Sequence, residues 1–159
     1  MLSPKTFIPL ILTLALLAGC GANPAYETPE KTAMTYVENG PPLAGVISIP
    51  FWNYTWNGLS KESQQWFLDN WETICDRPGH MEACGQQTNP AKQKMVAFGE
   101  AIVRHGPGKY DKVKDVDIDG KTAEVTFKNW KGTMYLVKEG ANWKIDELFG
   151  IEDLPPTKW

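Results

Sequence analysis

The chain has 159 residues, 42% hydrophobic and 22% charged, with a formal net charge of -3. That length and balance describe one folded domain plus a targeting segment and exclude a fibrous or wholly disordered chain. The acidic balance, with no basic stripe, excludes nucleic acid as a partner.

Residues 1–20 read MLSPKTFIPLILTLALLAGC. Lys5 and the amino terminus supply a short positive region. Residues 7–17 are apolar, too short a run to span about 30 Å of hydrocarbon as a helix, so they read as the core of a secretory signal peptide. Small residues Ala18 and Gly19 then precede Cys20. The string Leu17-Ala18-Gly19-Cys20 resembles the lipobox of bacterial lipoproteins. The resemblance implies that residues 1–19 are cut away, that Cys20 receives a diacylglycerol thioether, and that the new amino terminus is acylated. One acyl chain anchors marginally, whereas three would hold the protein on a membrane. Gly21 follows the cysteine where an Asp would favour inner-membrane retention in an enterobacterial lipoprotein. Its presence implies the outer membrane, facing the periplasm. The alternative is an ordinary secreted protein in which Cys20 is a free or paired thiol.

Two cysteines remain, Cys75 and Cys84, in the stretch CDRPGHMEAC. With Cys20 consumed by lipid they form an even pair, and export favours a disulfide between them. A metal site on Cys75, His80 and Cys84 is the rival, but no nearby fourth ligand completes a structural zinc site. No metal or other cofactor is expected.

Residues 20–45 hold four Pro and three Gly after the cysteine and read as a lipidated tether. The globular domain is assigned to residues 46–159. Residues 46–52, VISIPFW, read as an edge strand that Pro50 ends. In LSKESQQWFLDNWETIC, Ser60 is a helix N-cap and Glu62 suits the first turn. Trp66, Phe67, Trp71 and Ile74 recur at helical spacing, and Arg77-Pro78-Gly79 ends the helix. A second helix starts at Asn89-Pro90, carries Met95, Phe98, Ile102 and His105 on one face, and stops at Gly106-Pro107. From Tyr110 the period becomes two. Residues 112–119, 121–129, 132–139 and 142–149 read as four strands. Asp119-Gly120 favours a type I′ turn, and short turns make neighbours antiparallel.

The expected fold is therefore α+β, two helices followed by a four-stranded antiparallel meander. Its order, and the phrases DVDIDGKTAEVTF and NWKIDEL, resemble the last half of the nuclear-transport-factor-two-like (SnoaL-like) cone over about residues 59–149. That resemblance implies a cone-shaped curved sheet whose concave face lines a pocket with the helices. Small bacterial lipoproteins of unknown function share this ending, and the fold hosts enzymes, binders and assembly modules alike.

Chemistry is sparse. There is no nucleophile elbow, no HExxH and no phosphate-cradling glycine loop. His105, at a helix end, is the weak catalytic candidate, with Asp146 or Glu147 as its partner. Asp111, Asp115, Asp117 and Asp119 run along a strand rather than around a calcium loop and read as a solvated face. The aromatic segment FWNYTWNGL stands out, and Trp52, Tyr54 and Trp56 are the candidate binding residues. These features support a membrane-anchored envelope lipoprotein acting as a non-enzymatic binding or assembly module. It is held on the membrane through lipid on Cys20 and contacts an envelope protein or a small ligand. One alternative is a small-molecule hydrolase or isomerase using His105 in a cone pocket. Another is an immunity or exclusion lipoprotein of a mobile element.

Overall fold

The computed structural model describes residues 22–39, 49–76, 84 and 89–149, with the backbone alone at 49–51 and 100–104. The signal peptide, Cys20, His80 and residues 46–48 lie outside the described residues. Within them the architecture is α+β: four α-helices precede a four-stranded antiparallel sheet of order β1-β2-β3-β4.

The segment expected as a tether is folded over much of its length. Asn23 caps a 3-10 turn, Pro24–Tyr26, by accepting the Ala25 N–H at 3.1 Å. Thr28 then caps α1, Pro29–Glu38, by accepting the Lys31 N–H at 3.1 Å. Two of the four prolines that suggest a tether, Pro24 and Pro29, sit in first turns, where a missing N–H costs nothing, and Pro41 and Pro42 lie outside the described residues. Thr32, Ala33, Tyr36 and Val37 step by one, three and one, and this stripe is buried. It lies against β1, β2 and β4, and the Thr32 hydroxyl donates to the Trp143 carbonyl at 3.1 Å. Tyr26 and Tyr36 are both buried.

A second correction falls on the expected edge strand. Residues 49–52 open a helix, α2 (Ile49–Gly58), with Pro50 as its second residue. A short apolar run has no period that separates strand from helix. Here Trp52 and Trp56, one helical turn apart, pack against the core on the same face. Leu59 then makes a single parallel bridge to Ile145, and the Ser60 N–H donates to the Ile145 carbonyl at 2.7 Å. The free edge of β4 is thereby partly covered.

Ser60 caps α3, Lys61–Cys75, accepting the Ser63 N–H at 3.0 Å. Asn89 caps α4, Pro90–His105, accepting the Ala91 N–H at 2.9 Å. The two pack together, and a disulfide joins Cys75 at the end of α3 to Cys84, with Cα atoms 5.7 Å apart. On the expected face of α4, Phe98 is fully buried and Met95 and His105 are half-buried. The Ile102 side chain lies outside the described residues.

The strands are β1 Val113–Asp119, β2 Thr122–Phe127, β3 Thr133–Glu139 and β4 Asn142–Ile145. Val125 pairs with Met134, Ala123 with Leu136, and Leu136 with Ile145. All five are buried, so one face of the meander meets the helices. The turn after Asp119 is not type I′. Gly120 has φ 60° while Lys121 has no positive φ, so only the first central residue is left-handed, the II′ pattern. Gly140 repeats it at the β3–β4 turn with φ 61°. β4 is shorter than expected. After Ile145 the Asp146 N–H still reaches the Tyr135 carbonyl at 2.9 Å, but Leu148 and Phe149 turn inward and are buried.

Candidate functional site

Two helix ends meet beside β4. The last carbonyls of α2 have no intrahelical donors and need partners from outside the helix. The Gln64 side chain donates to the Trp56 carbonyl at 2.7 Å, and the Lys144 ammonium donates to the Asn57 carbonyl. Just above, the Tyr26 hydroxyl donates to the Tyr54 carbonyl at 2.8 Å. At the start of α3 the Glu139 carboxylate accepts the Lys61 N–H at 2.9 Å. A cation thus sits at the negative end of one helix and an anion at the positive end of the next. The Lys144 ammonium also lies 4.3 Å from the centroid of the Tyr26 ring.

Around these contacts opens a cleft of about 400 Å³, a size typical of small-ligand sites. Asn53 and Asn57, one helical turn apart, and Tyr54 line it from α2, Lys61 and Gln64 from α3, and Asn142 from β4. Asn53, Tyr54 and Asn57 are exposed, Tyr54 by 44%. The Asn142 side-chain oxygen accepts the Asn23 N–H at 2.7 Å, tying the 3-10 turn to the β3–β4 hairpin. Burial raises the Tyr26 pKa to about 12, with Tyr54 adding to the effect. Burial lowers the Lys144 pKa, and the nearby Glu139 charge opposes that shift.

The three aromatic candidates divide. Tyr54 faces the cleft, whereas Trp52 and Trp56 are half-buried and pack against the core. His105 is half-buried, and its backbone carbonyl accepts the Trp130 indole N–H at 3.0 Å. It lines neither this cleft nor the two others seen. One of those, about 220 Å³, lies between Trp66 and Leu148. The other, about 450 Å³, lies on the outer sheet face over Asp117, Asp119, Glu124, Tyr135 and Asp146. Among the described residues no group of three or more His, Cys, Asp or Glu is placed to hold a metal ion. No helix among them is long and apolar enough to cross a membrane.

Sequence reasoning missed Tyr26, Asn53, Asn57, Lys61, Glu139 and Lys144. The one available signal was the helical spacing of Asn53 and Asn57, which is legible only once that stretch is read as a helix. Comparison with family models, curated proteins and solved structures found no match to this chain.

Proposed function

We propose that the protein is a lipid-anchored module of the bacterial cell envelope that binds a ligand without transforming it, through the cleft between α2, α3 and β4. Anchoring rests on the lipobox-like Leu17-Ala18-Gly19-Cys20. The observation carrying the binding reading is how the cleft's charges are used. Lys144 and Glu139 are each engaged at a helix end. The cleft is lined by a single carboxylate, Glu139, and no histidine, and both Glu139 and Lys144 are already committed to backbone groups at the helix ends. Its remaining polar groups are carboxamides, one lysine and two phenols, of which Tyr26 is committed to the Tyr54 carbonyl, a set suited to orienting a ligand.

The test uses the full-length protein in its native membrane. A photoreactive phenylalanine analogue replaces Asn53 at the cleft in one strain and the 72% exposed Tyr110 in another. The expected result is an envelope adduct from position 53, absent from position 110 and lost when Cys20→Ala prevents anchoring. Equal adducts from both positions, or none from position 53, would overturn the reading.

A further inference from the structure

The polar atoms left over in this cleft identify a ligand class. Lys144 donates to a carbonyl at the end of α2 and lies over the Tyr26 ring. Glu139 receives the first N–H of α3. Both fixed charges are thereby held against helix dipoles of opposite sign and are weak attractors for a charged ligand. Lys61 contributes a single exposed ammonium. An anion would call for several uncommitted cations, and a cation for uncommitted carboxylates.

What the cleft does offer is a set of carboxamides, each with two N–H donors and one carbonyl acceptor. Two of these are fixed in orientation by their protein contacts. Asn142 commits its oxygen to the Asn23 N–H, so its amide hydrogens are the groups available to a ligand. Gln64 commits its nitrogen to the Trp56 carbonyl, so its oxygen is available. Asn53 and Asn57 add donors and acceptors from one face of α2, and the Tyr54 ring stands beside them, 44% exposed. The cleft therefore presents both donors and acceptors together with an exposed aromatic ring. Hydroxyl groups, which both donate and accept, match that mixture, and the C–H face of a sugar ring matches the apolar face of a tyrosine.

We propose that the cleft between α2, α3 and β4 binds a neutral saccharide through Asn53, Tyr54, Asn57, Gln64 and Asn142. The proposal rests on the binding-module reading above and names its ligand. Hydroxyls of the sugar accept from Asn142 and donate to Gln64, and Tyr54 covers one ring face.

The test uses the full-length protein in a detergent that carries no sugar headgroup. Chitotetraose and cellotetraose at millimolar concentration serve as probes in saturation-transfer NMR and calorimetry, with inorganic phosphate as the charged comparison. Saturation transfer to at least one saccharide is expected. Tyr54→Ala is expected to weaken binding roughly tenfold, as for loss of one aromatic contact. Asn57→Ala should weaken it roughly fivefold, as for one net hydrogen bond. Both side chains are exposed, and far-UV circular dichroism verifies that each variant folds. Saccharide binding unchanged by both variants would overturn the site. Phosphate binding without saccharide binding would overturn the ligand class. So would the absence of saccharide binding while the position-53 photoadduct persists, and in that case the binding-module reading stands. Absence of both saccharide binding and the adduct would remove both proposals.

Discussion

Trp52 and Trp56 stack face to face, with ring centroids 5.3 Å apart and planes 6° from parallel. Both meet Phe98 edge-on, at 4.9 and 5.6 Å, and Trp56 also meets Phe67 at 5.8 Å. These rings bridge α2 to α3 and α4, so their first contribution is to stability. Because both are half-buried, Trp52→Ala and Trp56→Ala should each cost about 2 kcal/mol, below the range for fully buried Trp. Urea denaturation measures this as a lower midpoint. A variant with an unchanged midpoint would show that its ring does not support the helix packing.

Gly106 leaves no room for a side chain. A Cβ there would stand 2.3 Å from the Tyr36 hydroxyl and 3.0 Å from the Phe149 ring. Tyr36 and Phe149 are themselves in contact, with centroids 5.1 Å apart, and Phe149 already has a strained φ of 58°. Gly106→Ala should therefore cost about 1–3 kcal/mol through overpacking. Removing the hydroxyl with Tyr36→Phe should shrink that penalty, a non-additivity that a double-mutant cycle reads directly. Strict additivity would place the clash elsewhere.

Two tyrosines tie stability to alkaline pH. Burial, with Tyr54 adding, holds the Tyr26 pKa at about 12. Burial and then the Glu147 charge raise Tyr36 well above its ordinary value. Unfolding returns both to about 10. Between those values the folded state keeps protons that the unfolded chain has lost. Their contribution to stability is therefore complete below pH about 10 and disappears as pH rises through the folded-state values. Lys144 has the opposite sign. Its pKa is lowered by burial, so that cost applies fully at lower pH and is relieved as pH climbs toward 10.5. In an alkaline titration Tyr26 and Tyr36 should ionise above the ordinary tyrosine range while circular dichroism reports the fold intact, and Tyr26→Phe should remove one of these late-ionising groups. Ionisation of both near pH about 10 in the folded protein would contradict this.

The Cys75–Cys84 bridge closes a loop with a sequence separation of 9. In the chain-entropy account a loop of that size contributes about 2–3 kcal/mol by restricting the unfolded chain. The Cys75→Ser, Cys84→Ser double variant should lose about that much in denaturant unfolding, and adding reductant to the natural protein should lower its stability equally. An equal midpoint with and without reductant would show that the bridge does not constrain the unfolded state.

Much of the second half of the fold was legible because its signals are local. Alternation in Ala123, Val125 and Phe127 marks a strand face whatever surrounds it, and Ser60 and Asn89 cap their helices with their own side chains. Even there the turn type after Asp119 escaped, because it depends on the φ of Lys121, which composition does not encode. In the first half α1 falls in the segment that reads as tether, and the first four residues of α2 fall in the one that reads as strand. The buried stripe of α1 gains meaning only from the sheet it covers, and Pro29 favours a helix start as readily as a linker.

By itself the sequence determined the class of the domain, the order of its strands, the two capped helices α3 and α4, and the lipobox-like string ending at Cys20. Those features depend on contacts within a few residues. The tertiary structure alone decided the cleft. Tyr26, Tyr54, Lys61 and Lys144 come from four separate segments, and each is ordinary where it stands in the chain. They converge because the end of α2 and the start of α3 both seek partners for unsatisfied backbone groups, and Lys144 and Glu139 supply them.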